Sequence, residues 1–169
     1  IIPTVNGINK EKMPDNGFIF IGLIKVKDEP YVIEYNVRMG DPETEVVFPR
    51  LNNDILELLD SMGTPKFNDI KLNISDNHAA TVILVSGGYP ESYEKEKKIT
   101  GLDDLSNELI FHAGTKKKNN TIITNGGRVL AITSIAKDFK KALKSSYKKI
   151  DKISFDGMNY RKDIGFDLL

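Results

Sequence analysis

The segment between residues 32 and 38 constrains the fold of this chain more than any other, because its polar side chains alternate with apolar ones. In a β-strand every second side chain points to the same face, so Glu34, Asn36 and Arg38 share one face of a predicted strand. Hard oxygen ligands hold Mg²⁺, and a guanidinium matches the oxygens of a phosphate group. The row therefore predicts a site for a metal ion and a polyphosphate, with a charged edge strand that binds nothing as the alternative. The opposite face carries Ile33, Tyr35 and Val37.

A turn and the start of a helix are predicted directly after this strand. Asp41 suits an N-cap, and Pro42 suits the first position of a helix. Glu43 would then lie in the first turn, where the helix dipole stabilises an acidic side chain without any ligand. We expect this helix to continue to Met62, with a break near Pro49.

Apolar runs separated by turn residues predict a chain that mixes strands and helices. Residues 1–16 are rich in turn-forming residues, and we expect them to form an irregular connection. The pair Asn125-Gly126 between two strand patterns predicts a hairpin that joins residues 121–124 to residues 128–135. Further strands are expected at 18–27, 31–38, 79–86 and 108–113, and a final helix is expected at 137–150.

Both predicted helices have an apolar face that could pack against a core. In the first helix the expected buried stripe is Ile55, Leu56, Leu58, Leu59 and Met62. In the final helix the apolar face is Phe139, Ala142, Leu143, Tyr147 and Ile150. Two sets of lysines are expected to be solvated, one in a loop at 116–118 and one on the opposite face of the final helix: Lys140, Lys141, Lys144, Lys148 and Lys149.

Composition narrows the classes of function. The 169 residues carry a formal net charge of zero, which argues against a general nucleic-acid or membrane-surface binder. There is no cysteine, so disulfides and thiolate metal sites are excluded. The sequence shows neither an apolar stretch long enough to span a bilayer nor a signal peptide. We therefore expect a cytoplasmic protein with no nucleic-acid and no membrane partner.

Several motifs together resemble those of one family. The pattern Glu34-x-Asn36-x-Arg38 is similar to the metal-binding strand of ATP-grasp ligases, and residues 38–44 (RMGDPET) resemble the signature of the phosphoribosylamine–glycine ligase family. Other motifs follow that family's order along the chain. They are PTVNG at 3–7, GFIFIGL at 17–23, GGYP at 87–90, HAGTK at 112–116, TNGGRVL at 124–130 and RKDIG at 161–165.

The resemblance implies an α+β fold in two parts. Residues 1–65 would be the C-terminal part of an ATP-grasp domain, with antiparallel strands plus a helix. Residues 66–169 would be a small β-rich C-terminal domain with one late helix. The chain begins in the middle of the resemblance, so we expect it to lack the N-terminal part of the same enzyme, including a loop that covers the nucleotide phosphates. The isolated chain is therefore expected to be inactive.

The resemblance also implies roles for individual residues. Glu34 and Asn36 would hold Mg²⁺ or Mn²⁺, and Arg38 would be catalytic by contacting the transferred phosphoryl group. The alternative for Arg38 is a salt bridge to a nearby acidic side chain. The implied substrate-binding residues are Asp41, Pro42, Glu43, Arg161 and Lys162, of which the last two form a basic pair that could bind a ribose 5-phosphate or simply lie on the surface.

The implied reaction is the ATP-dependent joining of glycine to 5-phosphoribosylamine through glycyl phosphate, a carbon–nitrogen ligase step of de novo purine (IMP) biosynthesis. ATP is thus the expected cofactor, with glycine and 5-phosphoribosylamine as the small-molecule partners. Two alternatives stay open. The chain could belong to another ATP-grasp carboxylate–amine ligase, or it could be a non-catalytic β-rich domain that makes subunit contacts.

Overall fold

The computed structural model describes residues 1–13 and 15–168, which group into two compact units. The first unit comprises the described residues of Ile1–Gly40 together with Asn53–Leu72. The second comprises Asp41–Asn52 and the described residues from Asn73 onward. Both contain helices and antiparallel strands, as the α+β prediction requires. The expected domain division at residue 65 stays a prediction.

The first unit is built around a two-stranded antiparallel hairpin. Lys27 and Asp28 form its turn, and both have a positive φ, as the central residues of a type I′ turn do. This turn matches the right-handed twist of the two strands, so the hairpin closes over two residues. The elements of this unit are α1 (Ile2–Lys10), β1 (Phe20–Val26), β2 (Glu29–Asn36), α3 (Ile55–Ser61) and a 3₁₀ helix (Pro65–Asp69).

Two predictions for the first unit are wrong. Residues 2–10 form a helix rather than an irregular connection, because Pro3 lies in the first turn, where a backbone amide has no helical partner to lose. In addition, β2 ends at Asn36. Arg38 therefore lies in a bend beyond the strand and not in the strand row with Glu34 and Asn36.

The predicted helix over 42–62 is also wrong, because short helices replace it. Asp41 is not an N-cap, since Glu43 precedes the first helical residue of α2 (Thr44–Val47). Asp54 is the N-cap of α3, and its Oδ1 accepts hydrogen bonds from the backbone N–H groups of Leu56 and Glu57 at 2.8 and 3.3 Å. A 3₁₀ helix (Phe48–Arg50) follows α2 directly. Of the predicted buried stripe, Leu58 is buried, whereas Leu56 and Leu59 are exposed.

The second unit packs helix α4 (Phe139–Ile150) against a three-stranded antiparallel sheet. The strand order in this sheet is β3 (His78–Val85), β7 (Arg128–Ala136) and β4 (Ile110–His112). Strand β7 is central, so it is buried on both faces, and residues 129–134 are all buried. Alternate residues of β3 join these in a core with α4. The elements are α2, the 3₁₀ helix 48–50, β3 (His78–Val85), a 3₁₀ helix (Asp103–Leu105), β4 (Ile110–His112), β5 (Thr115–Lys118), β6 (Thr121–Thr124), β7 (Arg128–Ala136), α4 (Phe139–Ile150) and a 3₁₀ helix (Phe166–Leu168).

The predicted hairpin between residues 121–124 and 128–135 does not form. Instead, β6 pairs with β5 across a turn at Asn119 and Asn120, both of which have a positive φ. Strand β7 pairs with β3 and β4. Asparagine adopts the left-handed conformation more readily than most residues, so Asn119-Asn120 can close the tight turn without glycine. Residues 116–118 consequently lie in a strand and not in a loop.

Lys149 contradicts the prediction of a fully solvated lysine face on the final helix. It is buried, and its Nζ donates to the backbone oxygen of Thr133 at 2.9 Å and pairs with the Glu108 carboxylate at 2.6 Å. A buried ammonium needs partners of this kind, because removing its charge from water is costly. Among the residues that the structure describes, no helix is long and apolar enough to cross a membrane.

Candidate functional site

The proposed metal ligands lie on the hairpin of the first unit. In its register Glu34 is opposite Gly22, and Asn36 is opposite Phe20. A Cβ atom added at Gly22 would lie 2.8 Å from Cγ of Glu34, so the glycine leaves room for the glutamate side chain. The strand opposite Glu34 therefore provides space at this point and supplies no second carboxylate.

The chemistry of these two side chains suits a hard divalent cation. Glu34 is exposed and Asn36 is half-buried, and each carries an oxygen that can coordinate a metal ion. The described part of the chain contains no group of three or more His, Cys, Asp or Glu side chains arranged to hold a metal. Mg²⁺ usually keeps several waters and binds through one or two protein ligands plus substrate phosphates. A pair of oxygen donors is therefore compatible with a nucleotide-bound Mg²⁺.

Arg38 lies two residues beyond the last residue of β2 and is exposed. Its Nη1 donates a hydrogen bond to the backbone oxygen of Met39 at 2.8 Å. A guanidinium has five N–H donors in a planar fork, so this single bond leaves further donors available to an anion. The side chain is thus able to bind phosphate, although the bend and not the strand sets its position.

In the second unit Asp41 pairs with a residue to which the sequence assigned no role. Its two carboxylate oxygens face the guanidinium of Arg128, with Nη1 3.1 Å from Oδ1 and Nη2 3.0 Å from Oδ2. Nη1 also lies 3.3 Å from the backbone oxygen of Asp41. This bidentate arrangement fixes the orientation of the guanidinium as well as its charge.

A hydrogen-bonded threonine pair holds the segment that follows Asp41. The hydroxyl of Thr133 on β7 donates to the backbone oxygen of Glu45 in α2 at 3.1 Å. The same hydroxyl lies 3.0 Å from the hydroxyl of Thr81 on β3. Helix α2 is thereby fastened to the face of the sheet opposite α4, which in turn positions Asp41 near the start of β7.

Arg128 lines a cleft of about 550 Å³ on the second unit, which we call the Arg128 cleft. The face of β3 opposite the core provides an apolar wall, and Pro42 and Arg161 also line the cleft. Two of the sequence-predicted substrate residues therefore share one site. The wall residues with the largest apolar or aromatic side chains are Ile83, Val85, Tyr89, Tyr160 and Ile164.

Two family motifs that are far apart in sequence meet beside this cleft. The Ser86 hydroxyl and backbone N–H donate to the backbone oxygens of Gly126 and Gly127 at 2.9 and 2.8 Å. The ring of Tyr89 lies so close to Gly127 that a Cβ atom there would collide with it. The glycine at 127 therefore lets the tyrosine pack against the loop that leads directly into Arg128.

The two residues of the predicted basic pair, Arg161 and Lys162, line different hollows. Arg161 lines the Arg128 cleft and donates from Nε and Nη2 to the Asp163 carboxylate at 3.0 and 3.1 Å. This hydrogen bonding raises the pKa of the Arg161 guanidinium and lowers the pKa of the Asp163 carboxyl. Lys162 lines a different hollow, of about 420 Å³, together with Lys140 and Lys144 of α4.

The sequence motifs include Arg128 without indicating a role for it, and they suggest only a weak contact with the active cleft for the loop that contains Tyr89. A charged residue placed directly after Gly126-Gly127, at the beginning of a buried strand, is the signal that could have identified Arg128. The Asp41 partner could not be read in the same way, because 87 residues separate the two. Glu43 is exposed and lies at the N-terminal end of α2, where it makes no side-chain capping hydrogen bond.

Comparison with known proteins matches both parts of the chain. The family model described as phosphoribosylglycinamide synthetase, C domain, matches residues 79–167, and the model of the ATP-grasp (A) domain of the same synthetase matches residues 1–44. A phosphoribosylamine–glycine ligase of Fusobacterium nucleatum is 44% identical over 167 residues, which are 96% of this chain and 39% of that protein. The bifunctional purine biosynthetic protein purD of Dictyostelium discoideum is 44% identical over 174 residues, covering 96% of this chain and 21% of its own length.

A solved structure agrees with these sequence matches. The crystal structure of phosphoribosylamine–glycine ligase from Thermotoga maritima superposes with a TM-score of 0.81 at 34% identity. The match covers 95% of this chain and 40% of that one. The chain thus spans about two fifths of the length of the single-function proteins that it resembles.

Proposed function

The chain belongs to the phosphoribosylglycinamide synthetase family, and from this premise we propose that it is the C-terminal part of an ATP-dependent ligase that joins glycine to 5-phosphoribosylamine. The observation that carries the proposal is the pair Glu34 and Asn36 on one strand, with Gly22 opposite Glu34, inside the segment that matches the ATP-grasp model. These oxygen donors are what a metal–nucleotide site requires. The product would be glycinamide ribonucleotide, an intermediate of purine nucleotide synthesis.

The reaction requires activation, because the carboxylate of glycine is a poor electrophile. The carboxylate attacks the γ-phosphorus of ATP and gives glycyl phosphate and ADP. The amino group of 5-phosphoribosylamine then attacks the carbonyl carbon of glycyl phosphate, and inorganic phosphate leaves as the amine loses a proton. This sequence needs no covalent bond to the protein, so the enzyme acts by positioning the reactants and stabilising charge.

In the first unit, Glu34 and Asn36 would hold Mg²⁺ or Mn²⁺, which when bound neutralises charge on the β- and γ-phosphates of ATP. Arg38 would bind the transferred phosphoryl group through the N–H donors that Met39 does not occupy. A cation in this role stabilises charge that develops during transfer, so its removal lowers the rate of chemistry more than the affinity for substrate.

In the second unit, Asp41, Pro42 and Glu43 would bind glycine or the amine substrate. The two acidic side chains are suited to the ammonium group of glycine. Arg161 would contribute a cation in the cleft that Pro42 also lines. Lys162 would contribute its positive charge to substrate binding from a greater distance, since it lines a different hollow.

The complete enzyme would contain an N-terminal part that supplies the phosphate-covering loop, and it would act in the cytoplasm. Closure of that loop would protect glycyl phosphate from water. We propose residues 1–65 as the end of the ATP-grasp domain and residues 66–169 as the C-terminal domain. The 169-residue chain alone would then form no ADP in response to glycine.

The test is ADP release by the full-length protein in the presence of 5-phosphoribosylamine, with glycine, alanine, β-alanine or no added acid. We expect release with glycine only, and a loss of at least about 100-fold in kcat for both Glu34→Ala and Arg38→Ala. Glu29→Ala, an exposed glutamate on the same strand, is the matched control and should keep full activity. Release with another acid would favour a different ATP-grasp ligase, and full activity of Glu34→Ala would refute the metal site.

A further inference from the structure

We propose that the Arg128 cleft binds the phosphate group of a phosphorylated sugar, with Arg128 as its principal anion ligand and Asp41 as an internal competitor for the same guanidinium. The proposal rests on the proposed function in one respect, because that function supplies 5-phosphoribosylamine as the phosphorylated substrate. It adds Arg128 to the site and gives Asp41 a second role, in the state without substrate.

Arg128 lines the cleft, so its guanidinium can contact a phosphate group bound there. It is the first residue of β7, directly after Gly126-Gly127, and its side chain is 39% exposed. Asp41 occupies both terminal nitrogens at 3.1 and 3.0 Å. Two parallel N–H···O bonds from one guanidinium form with a carboxylate or a phosphate in the same geometry. The observed pair thus shows how a phosphate would bind.

Asp41 can be displaced because the pair is not sealed from water. The Asp41 side chain is 52% exposed, and an ion pair with such exposure contributes little net stability. A phosphate monoester carries more negative charge than one carboxylate, and it presents three oxygens to the planar fork. Binding of the dianion would therefore release the aspartate, which would then be free to contact a cationic amine.

The walls of the cleft suit the sugar attached to that phosphate. Its volume of about 550 Å³ lies within the range of small-molecule sites. The apolar face made by Ile83 and Val85 and the ring of Tyr89 could pack against the ribose. Arg161 provides a second guanidinium, and its bidentate partner Asp163 lies two residues further along the same exposed segment. Arg128 is the main anion ligand, because it begins the buried strand β7, which fixes its backbone, and because its side chain is less exposed than that of Arg161.

The proposal is tested by titrating the 169-residue chain with ribose 5-phosphate, which carries the phosphate without the reactive amine, and measuring Kd by calorimetry. Arg128→Gln should weaken binding at least about 10-fold, because one bidentate charge pair is lost. Asp41→Asn should tighten binding about 3-fold or more, because the competitor loses its charge. Lys117→Gln, an exposed lysine outside the cleft, should not change Kd. Ribose without phosphate should not bind.

The direction of the Asp41 effect separates competition from a structural role. If the ion pair only held the fold, Asp41→Asn would weaken binding as Arg128→Gln does, and the proposal would be wrong. Unchanged Kd in both variants, or no binding by the parent chain, would also overturn it. Arg128→Lys keeps the charge without the fork and should bind with intermediate affinity, and amide NMR spectra show whether each variant remains folded.

A failure of this proposal can be told apart from a failure of the proposed ligase. If the full-length protein releases ADP only with glycine but Arg128→Gln leaves the KM for 5-phosphoribosylamine unchanged, the cleft assignment alone is wrong. If ribose 5-phosphate binding depends on Arg128 as expected but ADP release does not depend on glycine, the cleft is supported and the ligase assignment is wrong.

Discussion

The two units of this chain use their apolar residues in opposite ways. Within residues 1–13 and 15–168, Leu58 is the one buried apolar residue of the first unit. In the second unit, strand β7 by itself already buries a continuous run of apolar residues. Ile33 on β2 is 64% exposed, while Ile132 on β7 is fully buried. The same residue type in the same secondary structure therefore contributes very differently to stability.

The contrast has a physical cause in how completely each sheet is covered. In the second unit α4 covers one face of the sheet, so side chains from two elements close a core. In the first unit Val32 and Ile33 of β2 are both exposed, at a point where the pairing with β1 is irregular. A two-stranded hairpin whose side chains are mostly exposed is only marginally stable. We conclude that the second unit holds its own fold more firmly than the first.

The largest expected effect follows directly from this contrast. Ile132→Ala should destabilise the second unit by about 2–5 kcal/mol, because it leaves a cavity in a closed core. Ile33→Ala, the matched substitution in the first unit, should change stability by no more than about 0.5 kcal/mol. Hydrogen exchange of the β7 amides as a function of urea measures the second unit separately. Equal losses in the two variants would contradict the distinction between the units.

An intermediate effect is expected at Lys149, where the second unit contains a buried charge. Lys149→Met keeps the aliphatic volume but removes the hydrogen bond to the Thr133 oxygen and leaves Glu108 without its cation. We expect a loss of about 1–3 kcal/mol, since the side chain of Glu108 is half-exposed and can be resolvated. Lys148→Met, at the adjacent exposed position, is the control and should be nearly neutral. A Lys149→Met protein as stable as the parent would show that the pair contributes nothing.

The sequence predicted those parts of the fold that local patterns determine. Strands β1, β2, β3 and β7 and helix α4 follow from alternation and apolar periodicity, and their approximate positions agree with the structure. The pairing of β6 was missed because Asn119-Asn120 and Asn125-Gly126 are both acceptable tight turns. Only the pairing of β7 with β3, more than 40 residues earlier, decides between them. Such a contact leaves no local trace in the sequence.

The candidate site shows the same limit. Glu34 and Asn36 could be assigned to one strand face because they are two residues apart, and β2 contains both. Arg128 could not be connected to Asp41, nor Lys149 to Glu108, because each pair joins segments that only the tertiary fold brings together. The type of a charged residue is visible in the sequence, but its partner determines whether that residue is solvated, structural or available to a ligand.

The smallest effect concerns the helix caps, where each unit has one aspartate. Asp54 begins α3 of the first unit, and Asp138 begins α4 of the second by accepting a hydrogen bond from the Lys141 backbone N–H at 2.8 Å. That bond, together with the Lys141 ammonium, lowers the pKa of the Asp138 carboxyl below its usual value of 3.8. Because the folded-state pKa is the lower one, the stabilisation is complete above about pH 3.8 and is lost as the pH falls through the folded-state pKa.

Asp138→Asn separates the cap from its charge, since asparagine is an equally good N-cap but does not titrate in this range. We expect α4 amide protection in the variant to lack the acid-dependent decrease that the parent shows, while the two proteins differ little near neutral pH. Asp151→Asn, at the other end of α4, should retain the dependence of the parent. Since all other carboxyl groups are common to parent and variant, the difference between their pH profiles isolates Asp138. Identical profiles would mean that the closed core, and not the cap, alone sets the stability of this helix.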